Sequence, residues 1–426
     1  MRRLAVVIAV ALAGSAYAQP ELKAGVARVE ITPSVFMPMY GYANRKCGPA
    51  NGTHDPLFAK ALVLQAGDAR LAIVTMDIGS MVSDNLRRDV AAKLNIPVLL
   101  LSASHTHSGP AFLPYGSSPS SGAAADAYLA ELERKVFGAV QEAAGAMFPA
   151  RLAAGRGSLQ LGYNRLLRRE DGRARALFDN LERVPYGPVD PEFVLLRVDA
   201  ADGTPRALLV HYATHAVVLG PTSCKYSADY PGVMQARVEQ EMKGTQVMFV
   251  QGGAGDINPL FMGRSGNEEQ DFKVMQTMGE LLAAEVVRAN KTVKPVEAPP
   301  AIQSRSEVLT FQDRWEKNKT VDVGITTVLI DGQIAIAATA GEPMNKLQRM
   351  WKEQAEIPYP LFYGYTYSAG GGWPGYIPDL RTAAYGGYGA DVTTRIELGA
   401  GEKIMLRHLT NLYDLLGMWH DKPGRP

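Results

Sequence analysis

The sequence predicts an α/β protein in which mixed β-sheets are covered by helices. Some of its apolar strands are joined by short turns, since Gly67-Asp68 follows one strand and Asp331-Gly332 separates Val321–Ile330 from Ile334–Thr339. Other strands are separated by stretches of helical periodicity, such as Asp271–Asn290. Hairpins give antiparallel pairs and helical crossovers give parallel pairs, so this mixture favours mixed sheets over a pure parallel barrel.

The remaining elements follow from hydrophobic periodicity and from the residues that start or stop each run. Apolar runs predict further strands at Leu22–Ile31, Leu57–Gln65, Leu71–Asp77, a run from Leu99, Leu152–Asn164, Phe193–Asp199, Arg206–Tyr212, Gln246–Gln251 and Ser304–Leu309. Helical periodicity predicts helices at Ser83–Leu94 with Ser83 as the N-cap, Asp126–Ala146, Tyr230–Lys243, Glu402–Met418 and a segment opened by Gly341-Glu342-Pro343. Composition predicts loops at Phe112–Ala124, Arg165–Arg183 and Thr366–Tyr388.

Composition narrows the class of protein. The 426 residues are 46% hydrophobic and 20% charged, which is typical of a globular protein with a large core. The formal net charge is +1 and no block of basic residues stands out. We therefore expect no nucleic-acid partner.

The first residues predict a secretory signal peptide over 1–18. Arg2 and Arg3 form the charged start, Leu4–Gly14 is apolar or small, and Ala16-Tyr17-Ala18 fits the cleavage pattern. Cleavage after Ala18 would give a mature chain from residue 19 that is periplasmic or secreted. The apolar run is too short to span a membrane, and no other candidate for a transmembrane segment stands out.

Two cysteines, Cys47 and Cys224, remain in the mature chain. Export allows a disulfide between them, but spacing alone does not show that they meet. A disulfide and two free thiols both stay open at this point.

The segment from Leu99 to Pro110 is the strongest functional signal. An apolar run leads into His105 and His107, and Gly109-Pro110 stops it. Because successive strand side chains alternate faces, we expect both imidazoles to point the same way at the carboxyl end of a strand. Such a pair suits a metal, or a metal and a proton shuttle, while a hydrogen-bonded pair in a loop is the alternative.

Two further groups of metal-ligand type occupy similar places. His215 follows the strand Arg206–Tyr212, and Glu342 follows the strand Ile334–Thr339. Three such groups at three strand ends favour a zinc site. Glu342 also suits the first turn of a helix, where the helix dipole favours an acid.

The sequence resembles the catalytic N-terminal domain of the neutral/alkaline non-lysosomal ceramidase family. The matching segments occur in the family's order and span most of the mature chain. They are Ala24–Pro33, His54–Leu57, His105–Pro110, Tyr212–His215, Ser227–Gly232, Gly255–Pro259 and Gly341-Glu342. The resemblance implies one large zinc hydrolase domain over 19–426.

The resemblance also implies roles for individual residues. One zinc ion per chain would be held by His105, His215, Glu342 and Tyr376, with Tyr385 and Tyr388 as competitors for the last position. His107 would not ligate but would stabilise the tetrahedral intermediate or move protons. The remaining candidates are Asp256, which could support a ligand histidine, Asn258, which could orient substrate, and Arg165 and Tyr388, which could contact substrate.

Two departures from the family separate this chain from a ceramidase. Asn258 stands where ceramidases carry a serine, and asparagine cannot act as a nucleophile. Because little sequence follows the matched region, we expect no counterpart of the further C-terminal β-sandwich domain of ceramidases.

The sequence thus predicts a zinc-dependent amide hydrolase that uses a zinc-activated water on a small or lipid-like N-acyl amide. A metal-dependent esterase or lactonase on the same scaffold, and a binding protein without turnover, remain open. The sequence gives no oligomeric state.

Overall fold

The computed structural model of the protein describes residues 21–113 and 122–419, so the predicted signal peptide lies outside the described residues. The strands are β1 (Leu22–Glu30), β2 (Gly52–Thr53), β3 (Phe58–Ala66), β4 (Ala69–Met76), β5 (Val98–Ala103), β6 (Phe148–Ser158), β7 (Gly162–Asn164), β8 (Leu166–Arg168), β9 (Ala174–Ala176), β10 (Glu192–Ala200), β11 (Pro205–Tyr212), β12 (Lys225–Tyr226), β13 (Gln246–Gln251), β14 (Ile257–Pro259), β15 (Lys294–Pro295), β16 (Ile302–Gln312), β17 (Thr320–Ile330), β18 (Ile334–Thr339), β19 (Glu342–Pro343), β20 (Tyr359–Tyr363), β21 (Thr366–Tyr367) and β22 (Tyr376–Ile377). The helices are α1 (Asp84–Leu94), α2 (Ala123–Gly145), α3 (Asp229–Glu241), α4 (Glu268–Asn290), α5 (Asn345–Gln354), α6 (Leu380–Tyr385) and α7 (Ala400–Leu415).

Within the described ranges, the larger sheet has ten strands and mixes both kinds of pairing. Its order is β13-β11-β10-β6-β1-β3-β4-β5-β21, with β15 paired to β6. The hairpins β3–β4 and β10–β11 are antiparallel. The pairs β4–β5 and β11–β13 are parallel because α1 and α3 connect them. The predicted mixture of hairpins and helical crossovers is therefore confirmed.

The smaller sheet has the order β16-β17-β18-β20. Its central hairpin turns at Asp331-Gly332, as predicted, and both residues have positive φ. The parallel strand β20 was not predicted. Its sequence, Tyr-Pro-Leu-Phe-Tyr, is a short aromatic run that hydrophobic periodicity alone does not separate from a loop.

Buried side chains arrange the two sheets and the helices in four layers. The outer face of the larger sheet packs against α1 and α2 at one end and against α3 and α4 at the other. Its inner face shares one apolar core with the smaller sheet, where Leu62, Leu196 and Leu361 belong to the same cluster. The other face of the smaller sheet packs against α5 and α7, with Trp351 fully buried.

Several boundaries differ from the predictions. The predicted strand Leu152–Asn164 divides into β6 and β7. The predicted loop Arg165–Arg183 contains the small hairpin β8–β9, and the predicted loop Thr366–Tyr388 contains β21, β22 and α6. Apart from β6, each of these elements is a strand of three residues or fewer or one short helix, and is held by tertiary contacts rather than by its own periodicity.

Cys47 and Cys224 form a disulfide, with their Cα atoms 6.0 Å apart. Of the two alternatives that the sequence left open, the structure selects the bridge. No helix in the described part of the chain combines the length and the apolar character that crossing a membrane requires.

The shared core between the two sheets should carry a large part of the stability. Leu361 on β20 is fully buried in that core, whereas Leu406 on α7 is 66% exposed. Leu361→Ala should lower the free energy of unfolding by about 2–5 kcal/mol through lost burial and a cavity. The matched control, Leu406→Ala, should change it by less than about 0.5 kcal/mol, measured by chemical denaturation. Equal effects of the two variants would contradict this packing.

Candidate metal centre

Three loops bring the predicted metal-ligand residues together. His105 follows β5, His215 follows β11, and Glu342 begins the short strand β19 that follows β18. The first two strands belong to the larger sheet and β18 belongs to the smaller one. The three side chains therefore meet where the ends of the two sheets converge, and all three are buried.

The ligand atoms of these residues lie close together. The distances from Glu342 Oε2 to His105 Nε2 and His215 Nε2 are 3.2 and 3.3 Å. His107 Nε2 lies 3.4 Å from His105 Nε2. The histidines 105, 107 and 215 form a group whose ligand nitrogens all lie within 4.8 Å of one another. Such a cluster could hold a metal ion.

Backbone carbonyls fix two of the imidazoles. His105 Nδ1 lies 2.6 Å from the carbonyl oxygen of Gly79, and His215 Nδ1 lies 2.6 Å from that of Ala254. A carbonyl can only accept, so each Nδ1 carries the proton and each Nε2 keeps its lone pair. These lone pairs face Glu342 Oε2. A hydrogen bond from the other ring nitrogen to a backbone carbonyl is typical of histidines that bind metal.

Burial keeps the imidazoles of His215 and His107 neutral at neutral pH, and the neutral imidazole is the form that binds metal. Burial lowers the pKa of His215 to about 4, and burial and the other histidines lower the pKa of His107 well below its usual range. Burial alone would raise the pKa of Glu342, but the charge that the two neighbouring imidazoles carry when protonated outweighs burial and lowers that pKa well below the usual range. Neutral imidazole and ionised carboxylate at neutral pH are suitable ligands for a divalent cation.

The donor set fits zinc. Neither His215 Nε2 nor Glu342 Oε2 has a hydrogen-bond partner among the described residues, although both are buried. Unpartnered buried acceptors cost free energy unless a cation or a donor meets them. Two imidazole nitrogens and one carboxylate oxygen form a known three-ligand set of catalytic zinc sites.

The expectation that alternation along a strand aligns the imidazoles of His105 and His107 was wrong. Strand β5 ends at Ala103, so alternation along a strand cannot align the two residues. Instead the chain turns at His105, which has a φ of +63°. Positive φ is uncommon in residues other than glycine, so the surrounding contacts hold this turn.

His107 differs from the other two histidines. Its ring lies between Tyr40 and Tyr42, with centroid distances of 5.6 and 4.9 Å. A Cβ on Gly41 would come within 2.2 Å of this ring, so glycine is needed there. The Nδ1 atom of His107 is buried and has no hydrogen-bond partner among the described residues. Either nitrogen of this imidazole can therefore carry the proton.

Arg165 and Tyr376 form a second part of the site. The Arg165 guanidinium donates to Asn258 Oδ1 at 3.0 Å, to the Gly255 carbonyl at 2.7 Å and to the Tyr376 hydroxyl at 3.0 Å. Tyr376 on β22 pairs directly with Glu342 on β19. The predicted residues Arg165, Asn258 and Tyr376 are thus joined in one buried network beside Glu342.

Asp256 does not contact a histidine. Its two carboxylate oxygens accept hydrogen bonds from the Asn345 backbone N–H at 2.8 Å and from Asn164 Nδ2 at 2.6 Å. His215 is instead held by the backbone carbonyls of Ala254 and Ile257, which lie close to Asp256 in the chain. Asp256 therefore shapes the loop around the site rather than orienting His215 by its side chain.

Tyr388 packs against the same network, beside Tyr376 and Arg165. Its ring centroid is 5.5 Å from that of Tyr376 and 5.2 Å from that of Phe178. The Arg165 guanidinium carbon lies 5.2 Å from the Tyr388 ring centroid. Tyr385, the other competitor for the metal, contacts Arg168 and Arg381 instead of this network.

Sequence reasoning missed the aromatic residues Tyr365 and Tyr40 beside the histidines. Their rings lie 4.4 and 5.4 Å from the ring of His105. The Tyr365 hydroxyl is buried without a hydrogen-bond partner among the described residues. Nothing in the spacing of these residues sets them apart from other loop aromatics, so no sequence signal could have found them.

A family model for the N-terminal domain of neutral/alkaline non-lysosomal ceramidases matches residues 22–281. The chain belongs to this family. Membership implies a hydrolase, as predicted. The match includes His105, His107 and His215 and ends before Glu342 and Tyr376.

Solved structures support the fold over nearly the whole chain. The neutral ceramidase from Pseudomonas aeruginosa superimposes with a TM-score of 0.75 at 15% identity, covering 96% of this chain and 76% of that one. A structure described as ceramidase complexed with C2 gives a TM-score of 0.74 at 15% identity, covering 96% and 77%. The predicted α/β class with mixed sheets and covering helices is confirmed.

The Cys47–Cys224 disulfide should stabilise the loop that covers His107. Arg45 in this loop donates to the carbonyls of His107 and Ser223. The bridge joins residues 177 positions apart, so removing it frees a long loop in the unfolded chain. The double variant Cys47→Ser/Cys224→Ser should lose about 2–5 kcal/mol of stability, measured by chemical denaturation.

The single variant Cys47→Ser is the matched control, and it should be as unstable as the double variant because either change removes the bridge. An unfolding midpoint of the double variant equal to that of the native protein would contradict a stabilising role of the disulfide.

Proposed function

We propose that this protein is a zinc-dependent hydrolase that cleaves an amide bond in a small or lipid-like N-acyl substrate. The convergence of His105 Nε2 and His215 Nε2 on Glu342 Oε2, at 3.2 and 3.3 Å, carries the proposal. Family membership supports hydrolysis, and the three buried donors support a metal-dependent mechanism.

We assign one zinc ion per chain to His105, His215, Glu342 and Tyr376. The first three supply two imidazole nitrogens and a carboxylate oxygen, a set that zinc favours. Tyr376 is the fourth candidate because it pairs with Glu342 across β19 and β22. Burial and Glu342 raise the pKa of the Tyr376 hydroxyl, and the Arg165 N–H directed at that hydroxyl opposes the rise and would support a bond from its oxygen to a metal.

When bound, zinc would lower the pKa of a coordinated water to about 7 and polarise the carbonyl of the substrate. His107 has a different task. Its neutral imidazole lies beside His105, and its Nδ1 is not committed to a carbonyl, so it can hold a proton on either nitrogen. We propose that it donates to the developing oxyanion or protonates the leaving amine.

Arg165, Asn258 and Tyr388 would form the substrate-facing wall. The guanidinium is fixed by Asn258 and Gly255, so it is preorganised and costs little conformational entropy to use. Asn258 stands where ceramidases carry a serine, and we propose that it orients Arg165 and the substrate by hydrogen bonds. Asp256 would act as a positioning residue through Asn164 and Asn345.

We further propose that residues 1–18 direct export and that residues 19–426 form one catalytic domain, periplasmic or secreted. The charged start, the apolar run and the small-residue cleavage pattern support export. The two sheets share one apolar core, which supports a single domain for the described residues.

Metal content tests the ligand set directly. Purified protein should hold about one zinc per chain, and chelator treatment should remove both the metal and the hydrolytic activity. His105→Ala, His215→Ala and Glu342→Ala should each lose most of the zinc, measured by mass spectrometry of the metal. His211→Asn is the matched control, because His211 is a buried histidine bound to the Phe362 carbonyl outside the cluster. Retention of zinc by all three ligand variants would contradict the assignment.

The role of His107 can be separated from that of the ligands. His107→Gln should keep its zinc and lower kcat for an N-acyl amide by about 10²–10⁴-fold, because the proton donor is lost. Gly41→Ala should give a similar loss, since its Cβ would displace the His107 ring, whereas Gly138→Ala in α2 meets no atom within 4 Å. Loss of zinc in His107→Gln would show instead that His107 is a ligand.

The same assay should compare matched amide and ester substrates. Faster cleavage of the amide, relative to the uncatalysed rates, supports the proposal. Turnover of the ester or lactone alone would identify an esterase or lactonase. Tight binding without turnover of any substrate, with zinc bound, would identify a binding protein.

A further inference from the structure

A cavity of about 520 Å³ lies behind the loop that carries Arg165. It is bordered by the hairpin β8–β9, the first turn of α5 and the helix α6. Four cationic side chains line it, from Arg168, Lys346, Arg349 and Arg381. The volume falls in the range of small-molecule sites, which is about 300–1,000 Å³.

The charges of these cations are poorly compensated by the protein. Arg168, Lys346 and Arg381 form no ion pair within residues 21–113 and 122–419, and Arg349 pairs only with Glu353, at 3.8 Å. Like charges held around one cavity raise its potential and attract an anion.

The two acids that line the cavity are already used by the protein. Asp256 accepts hydrogen bonds from Asn345 and Asn164, as described above. Asp379 caps α6 by accepting from the backbone N–H and the hydroxyl of Thr382. Neither carboxylate pairs with a cation of the cavity, so the positive charge stays available to a ligand.

Tyr385 holds two of the guanidinium groups in place. Its hydroxyl accepts from Arg168 and from Arg381, each at 3.2 Å. The two guanidinium carbons lie 4.6 and 5.5 Å from its ring centroid. A neutral phenol thus keeps two arginines near each other without neutralising them, which leaves further N–H groups free to donate.

We propose that this cavity binds a small anion with at least two negative charges, of the phosphate or polycarboxylate kind. The forked N–H groups of arginine match the oxygen atoms of both groups. Arg168 and Arg381 are exposed, so a ligand can reach them from solvent. The cavity is distinct from the metal centre, since its lining includes neither Arg165 nor any of the proposed ligands His105, His215, Glu342 and Tyr376.

The test is titration calorimetry of the full mature chain at low ionic strength, with inorganic phosphate in one arm and succinate in the other. We expect saturable binding that weakens as salt is added, since the attraction is screened. Arg168→Gln and Arg381→Gln should each weaken binding at least about tenfold through the loss of a charge-assisted hydrogen bond. Arg151→Gln, an exposed arginine of β6 outside the cavity, should change it less than about twofold.

Thermal melting shows whether each variant is folded. Lys346→Gln, at the exposed start of α5, is a further cavity variant that perturbs the structure less than the two arginine variants. Tighter binding of phosphate identifies a phosphorylated ligand, and tighter binding of succinate identifies a polycarboxylate. Absence of saturable binding of both anions to the native protein would overturn the proposal. Equal affinity of the native protein and folded cavity variants would also overturn it, because the anion would then bind elsewhere.

Discussion

The geometry of the site depends on three buried acceptor atoms that face one another: the Nε2 atoms of His105 and His215, and Glu342 Oε2. The carbonyls of Gly79 and Ala254 accept hydrogen bonds from the Nδ1–H groups of His105 and His215, so the Nε2 lone pairs of these imidazoles point at Glu342 Oε2. Three acceptors at 3.2–3.3 Å repel one another, and burial removes the water that would screen them. A divalent cation at their centre turns this repulsion into attraction, which is the physical basis of our proposal.

The fold supplies this arrangement from separate layers. His105 and His215 come from loops after strands of the larger sheet, and Glu342 comes from the loop after β18 of the smaller sheet. The apolar core that the two sheets share therefore sets the distance between the histidines and the glutamate. Change in that core would move one part of the site relative to the other, so packing far from the metal centre contributes to its geometry.

Much of this could be predicted from the sequence, for identifiable reasons. The Asp331-Gly332 hairpin and the Ser83 cap are local signals, and both occur as predicted. His105, His215 and Glu342 were placed at strand ends by periodicity, and the structure brings them together. Local signals were sufficient for the hairpin and the cap because each depends on a few neighbouring residues, whereas the meeting of the three ligands depends on the packing of the two sheets.

Other features depend on contacts between distant parts of the chain. The positive φ of His105 and the position of Tyr365 are set by tertiary packing, so no local pattern indicates them. The partners of Asp256 come from β7 and α5, and the disulfide joins residues 177 positions apart. The strand β20 was missed because its short aromatic sequence gains its register only from β18.

X-ray absorption at the zinc edge of the purified protein tests the central claim most directly, because it reports the ligands around the metal. The account predicts five light-atom ligands, two of them imidazole nitrogens at about 2.0–2.1 Å and the others the oxygens of Glu342, Tyr376 and a water at about 2.0–2.2 Å. A spectrum with three imidazoles would contradict the separation of His107 from the ligands. Absence of bound zinc after equilibration with the metal at neutral pH would contradict the metal centre itself.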